Sequence, residues 1–245
     1  MTRAIPLGRS RRVRRASIAF AVVIGTALSG LGALPAHASQ PLTFDHVAGL
    51  PRHIVPESVA LDGSGDVYVT ESAVSTSTTG DRVTKYSSNG IFLDVLAGPG
   101  VSPTGGPKNG LVANPASVAV APGGDIYVLE NGYGAGTNAT NEVSRYDSLG
   151  NFLGAWGAFG TGNGQFKAPE GIAVDSVGNV YVADYGNDRV QKFASDGSWI
   201  ATWDFVYNVV ELAVDATDVV WVVGNNKVAR YSTAGALLNS WAVSG

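Results

Sequence analysis

The sequence contains no cysteine, which removes disulfide bridges, thiolate metal sites and a thiol nucleophile together. Histidine is nearly as scarce. Of His37, His46 and His53, none lies beyond residue 53, so the commonest general base is missing from the rest of the chain. Charged residues make up only 15%, which argues against a disordered chain, a coiled coil or a nucleic-acid binder. No GxSxG elbow, phosphate-binding loop or HExxH pattern occurs. What the chain does have is glycine, 32 residues of it, and 45% hydrophobic residues over a length of 245. That length suits one large all-β domain or two small ones.

Residues 1–38 read as a secretory signal peptide. Arg3, Arg9, Arg11, Arg12, Arg14 and Arg15 form a basic start without an acid, an apolar run from Ile18 to about Leu34 follows, and Ala36-His37-Ala38 is a small-x-small cleavage pattern before Ser39. Ser, Thr and Gly interrupt the run, which is short for a bilayer span. The arginines at 14 and 15 stand where a twin-arginine signal carries apolar residues, so the general secretion route is favoured. With this segment removed, ten basic residues face twenty acidic ones, and the mature chain carries a net charge of about -10. An acidic surface repels phosphate backbones and anionic headgroups, so nucleic acid is not an expected partner, and no stable membrane span is expected once the signal segment is cleaved.

The mature part is a repeat. SVALDGSGDVYVTE (58–71), SVAVAPGGDIYVLE (117–130), GIAVDSVGNVYVAD (171–184) and ELAVDATDVVWVVG (211–224) align. DRVTKY, NEVSRY, DRVQKF and NKVARY follow them, and then a turn and a last strand. Tyr68, Tyr127, Tyr181 and Trp221 occupy one position; Gly90, Gly150, Gly197 and Gly235 occupy another. Four short segments rich in β-branched and aromatic residues, separated by Gly, Asn and Asp turns, predict a four-stranded antiparallel meander in each copy. Such a sheet repeated about every 40 residues is a propeller blade, stable only against neighbours. The blades fall at about 55–97, 114–157, 168–204 and 208–243 in an all-β domain spanning 39–245.

The third copy, with GNGQFKAPEGIAVD, GNVYVAD and NDRVQKF, resembles the NHL repeat of secreted bacterial β-propellers almost letter for letter. The resemblance extends from about residue 41 to 245 and is weakest in the fourth copy, where Glu211 and Gly224 replace the usual Gly and Asp. It implies a six-bladed ring, of which four blades are visible. Residues 41–49 match the end of a copy rather than its start and are read as a lone closing strand. The fourth copy already has an outer strand of its own, so the expectation is an incomplete ring, short of two blades or ~80 residues.

Within each blade, the loops between second and third strands share one end with the connections between blades, and all the length variation lies there: 72–81, 131–141, 97–114 and 157–168. Variable loops on a rigid scaffold are the usual place for binding. The same end carries Glu71, Glu130 and Asp184, each closing a second strand. Such carboxylates are candidate ligands for a divalent cation. Alternatively each pairs with the cation that opens the next strand, Asp184 with Arg189 and Glu71 with Arg82, and recurrence in successive blades favours this structural role. Glu142 stands where the arginine would be in the second copy, leaving Glu130 the least evidently neutralised. The repeated aromatics are assigned to the core between blades. Tyr133, Tyr185 and Tyr207, together with Glu130, are assigned to a ligand-binding face.

Two functions are consistent with this pattern. The first is a secreted binding scaffold that presents its loop-rich face to an extracellular protein, peptide or glycan. The second is a metal-dependent enzyme, since propellers similar to this one include lactonases and lyases with a metal at the channel mouth. His46 and His53 do not by themselves make a three-ligand zinc site, no catalytic residue is assigned, and no cofactor is expected beyond a divalent cation. The binding scaffold is the preferred reading.

Overall fold

A computed structural model describes residues 54–73, 81–98, 112–131, 141–204 and 208–243. The signal segment, the lone strand at 41–49, His46, His53, Tyr133 and Tyr207 lie outside the described residues. Sixteen strands form four sheets, each with its strands in sequence order and every pair antiparallel. The first blade holds β1 (Ile54–Leu61), β2 (Val67–Ala73), β3 (Arg82–Tyr86) and β4 (Phe92–Ala97). The second holds β5 (Pro115–Val120), β6 (Ile126–Asn131), β7 (Asn141–Tyr146) and β8 (Phe152–Trp156). β9 (Gly171–Val174), β10 (Val180–Asp184), β11 (Arg189–Phe193) and β12 (Trp199–Asp204) make the third. β13 (Val209–Val214), β14 (Val220–Gly224), β15 (Lys227–Tyr231) and β16 (Leu237–Ala242) make the fourth. The chain is therefore an all-β propeller of four described blades.

First strands lie side by side, β1 against β5, β5 against β9 and β9 against β13, so they are the inner strands of the series. Period-2 alternation sends one side-chain set to the preceding blade and the other to the following one. Val180 and Val182 face the second blade's Tyr127 and Leu129, whereas Tyr181 and Ala183 face Leu212, Val220 and Val222 of the fourth. With both faces covered, β6 and β10 are buried along their whole length. β16, with no blade after it among the described residues, is exposed throughout.

The short turns opposite the loop-bearing end follow from one acid. Asp175 Oδ1 accepts the amides of Val177 and Asn179 at 3.2 and 2.8 Å, while its Oδ2 accepts the Tyr181 hydroxyl at 2.8 Å. Asp62 with Tyr68 and Asp215 with Trp221 repeat the arrangement. A single carboxylate thus closes the first hairpin and satisfies the polar tip of the core aromatic. In the second blade Ala121 stands in place of the Asp, and the Tyr127 hydroxyl donates instead to the Ser195 carbonyl of the next blade at 3.2 Å.

Candidate functional site

Strand direction puts the β2–β3, β6–β7, β10–β11 and β14–β15 hairpins at the same end as the connections between blades. The recurrent acids stand at this end, and each has protein partners. Glu71 accepts from Arg82 Nε and from the Thr84 hydroxyl, the latter at 2.6 Å. Glu130, opposite Glu142 in the ladder, accepts from the Ser144 hydroxyl at 2.8 Å and from the Ala113 amide at 3.0 Å. Thr84 in the first blade and the Lys167 amide in the third make the corresponding bonds, so the second blade keeps these partners and carries Glu142 where the first and third carry arginine. In the fourth blade the acid position is Gly224, where a Cβ would run into the Asn208 carbonyl.

Asp184 is the most elaborate case. It is fully buried at the end of β10 and accepts Arg189 Nε at 2.7 Å, the Lys167 amide at 2.8 Å, Asn187 Nδ2 at 2.9 Å and Gln191 Nε2 at 3.1 Å. Arg189 then reaches past it into the 157–168 connection, donating to the carbonyls of Thr161 at 2.9 Å and of Gly162 and Gln165 at 2.8 Å. Gln191 binds the same connection twice, giving a hydrogen bond to the Gln165 carbonyl and taking one from the Gly164 amide. Phe166 plugs the connection into the seam between blades, 5.6 Å from Phe193 ring to ring. A buried charge is tolerable only when its lone pairs are satisfied, and here the partners that satisfy Asp184 also fix a loop.

That loop displays Phe159, which is 66% exposed. Large apolar side chains held outward on a fixed loop are typical contact residues. Tyr185, the first residue of a 3-10 turn at Tyr185–Asn187, is half-buried at the same end. The loop-bearing end thus joins Glu71, Glu130, Asp184 and Tyr185, and adds Phe159, which sequence reasoning missed. Its only signal was an aromatic inside a Gly-rich connection.

A second feature is Glu211. It stands where the other copies carry Ser58, Ser117 and Gly171, at the loop-bearing start of an inner strand. A Cβ on Gly171 would lie 3.0 Å from its Oε1. Burial pushes the Glu211 carboxyl up to about 7, the Leu212 amide opposes the shift and the charge of Glu170 adds to it. Burial raises Glu170 as well. An acid whose folded-state pKa lies above its unfolded value holds its proton more tightly when folded, so its contribution to stability falls as pH rises from about 4.5 through about 7. Glu211→Gln, which keeps an acceptor for the Leu212 amide, is expected to stabilise the chain by about 1–3 kcal/mol at about pH 8 and by almost nothing at about pH 4. Urea unfolding at the two pH values measures the difference. An equal gain at both would assign the effect to packing.

Among the described residues no group of three or more His, Cys, Asp or Glu side chains is disposed to hold a metal ion. The NHL repeat family model matches residues 166–193, the segment that contains Asp184, Arg189 and Gln191. The NHL repeat-containing protein 3 of Homo sapiens is 34% identical over 165 residues, which cover 66% of this chain and 44% of that protein. The chain thus spans less than half the length of this curated relative. A virginiamycin B lyase from Staphylococcus aureus matches with a TM-score of 0.52 at 14% identity, over 78% of this chain and 56% of the lyase. A gluconolactonase from Xanthomonas campestris matches with a TM-score of 0.50 at 16% identity, over 69% of this chain and 54% of that one. At such low identity these two structures share the fold with this chain.

Proposed function

We propose that this chain, an NHL-repeat protein of propeller fold, is a secreted binding scaffold whose loop-bearing end takes an extracellular protein, peptide or glycan. The observation that carries the reading is the anchoring of the 157–168 connection by Asp184, Arg189 and Gln191. Side chains fixed before binding lose less entropy on complex formation, which is what a recognition surface needs. Phe159 and Tyr185 are the contact residues in this reading, to which the sequence adds Tyr133 and Tyr207; Glu130, buried against Ser144 and the Ala113 amide, supports this end from within. Cleavage between Ala38 and Ser39 releases the domain outside the cell, and its acidity disfavours anionic polymers as ligands.

The test is a panel of glycans and peptides probed with the mature chain. Phe159→Ala and Tyr185→Ala are each expected to weaken the captured ligand about tenfold or more while leaving the melting temperature unchanged. Undiminished binding by both variants would remove the loop-bearing end from the account.

A second reading, a metal-dependent enzyme of lactonase or lyase type, draws on one feature. Glu211, whose carboxyl burial raises to about 7, lies on the inner strand β13, where a general acid near neutral pH is chemically useful. Stoichiometric divalent metal in the purified chain, measured by mass spectrometry, together with turnover lost in Glu211→Gln, would favour it over the scaffold.

A further inference from the structure

The 157–168 connection folds back on itself through a single ladder step. Phe166, fully buried in the seam, faces Phe159 in a parallel bridge. Its amide donates to the Ala158 carbonyl at 2.7 Å, and its carbonyl accepts the Gly160 amide at 3.0 Å. The residues on either side of Phe159 thus make both bonds of the step. Along an extended chain, successive residues turn their amide and carbonyl to alternate sides. The Phe159 amide and carbonyl therefore point together away from Phe166, and neither has a partner among the described residues.

The segment is held from behind and open in front. The Asn187 side chain donates to the Gly160 carbonyl at 2.9 Å, which keeps the turn that begins at Tyr185 against it. A Cβ on Gly160 would run into the Gln165 side chain, so the backbone lies as close to its support as glycine allows. Phe159 is 66% exposed, and Ala158 is exposed beside it. Phe166 closes one edge of this short strand. The other edge faces solvent, with a donor, an acceptor and an aromatic side chain all at one residue.

We infer that Phe159 is a strand-addition site for an extended polypeptide segment, which rests on the binding-scaffold reading and narrows its ligand to the peptide class. In an antiparallel pair two facing residues exchange both of their bonds, amide to carbonyl in each direction. An extended peptide residue offers its amide and carbonyl on one side, and so satisfies both groups of Phe159 at once. The acetamido group of a glycan is a single trans amide whose N–H and C=O point opposite ways. It meets only one of the two. Charge narrows the class further, because residues 39–245 hold twenty acidic residues against ten basic ones, which favours a segment flanked by lysine or arginine. The Phe159 ring then covers an apolar side chain of the added strand.

An array of short random peptides and a glycan array, both probed with the full mature chain, test this. The expected result is capture of peptides that combine apolar and basic residues. N-methylation of a captured peptide at one backbone position is expected to weaken it about tenfold or more, since it removes the amide that the Phe159 carbonyl accepts. In the free chain the Phe159 amide is expected to exchange quickly while those of Gly160 and Phe166 are protected, and the peptide is expected to slow Phe159 about tenfold or more. Capture of glycans without any peptide overturns the inference and leaves the scaffold reading standing, whereas capture of neither removes both. A peptide that tolerates N-methylation at every position, or that binds without protecting the Phe159 amide, also overturns the inference.

Discussion

Asp184→Ala is expected to destabilise the chain by about 3–5 kcal/mol, the cost of leaving a buried partner charge uncompensated. The carboxylate is fully buried and supplies acceptors to four groups, among them Arg189 Nε at 2.7 Å and the Lys167 amide at 2.8 Å. Arg189, itself buried, then has no counter-charge, and the loop carbonyls that it bridges become its only partners. The loss is therefore double: the end of β10 is weakened and the 157–168 connection is detached from it. The Arg145–Asp125 pair, whose side chains are each about one-quarter exposed, is the control. Its removal is expected to cost about 0.2–1 kcal/mol. Urea unfolding of the two variants in parallel measures the contrast. Equal effects would mean that burial and shared partners do not distinguish the two pairs.

Phe193→Ala is expected to cost a further class of interaction, about 3–5 kcal/mol through the cavity left behind. Phe193 is fully buried in the seam between the second and third blades, with ring centroids 5.9 Å from Trp156 and 5.6 Å from Phe166. Trp156 also packs on Gly197 and Phe166 on Gly157, so neither neighbour has room to collapse into the void. Each blade depends on its neighbours for burial, and a damaged central seam lowers the stability of both halves of the series. Leu237→Ala, at the exposed outer strand of the fourth blade, is expected to stay within about 0.5 kcal/mol of wild type. Denaturant midpoints with an unchanged slope would show the difference to be one of stability. A small effect at Phe193 would mean that the seams are looser than their burial indicates.

The repeat made the blades readable because each strand has a partner at a fixed offset. Alternating Val and aromatic residues, bounded by Gly and Asp, report local geometry directly. Asp184 with Arg189 and Glu71 with Arg82 were legible for the same reason: both members sit on strands joined by one hairpin. Other features depend on chain segments far apart. The bond from Tyr127 to Ser195 spans 68 residues, and the position of Gln191 beside the Gln165 carbonyl exists only once the connection has folded back onto β11. Glu211 was visible only as a departure from the repeat, since the burial that raises its pKa comes from the neighbouring blade. Phe159 carried no periodic signal at all, because its exposure is set by bonds to the loop backbone around it.

Amide hydrogen exchange across the 157–168 connection tests whether the loop-bearing end is a platform fixed before any ligand arrives. The amides of Gly160, Gly164, Phe166, Lys167 and Gly186 all donate to defined acceptors there. In a preformed platform they exchange as slowly as the amides of β9 to β11 in the free chain, and Asp184→Ala releases them. Exchange at the rate of an unstructured peptide in the unmutated chain would contradict it.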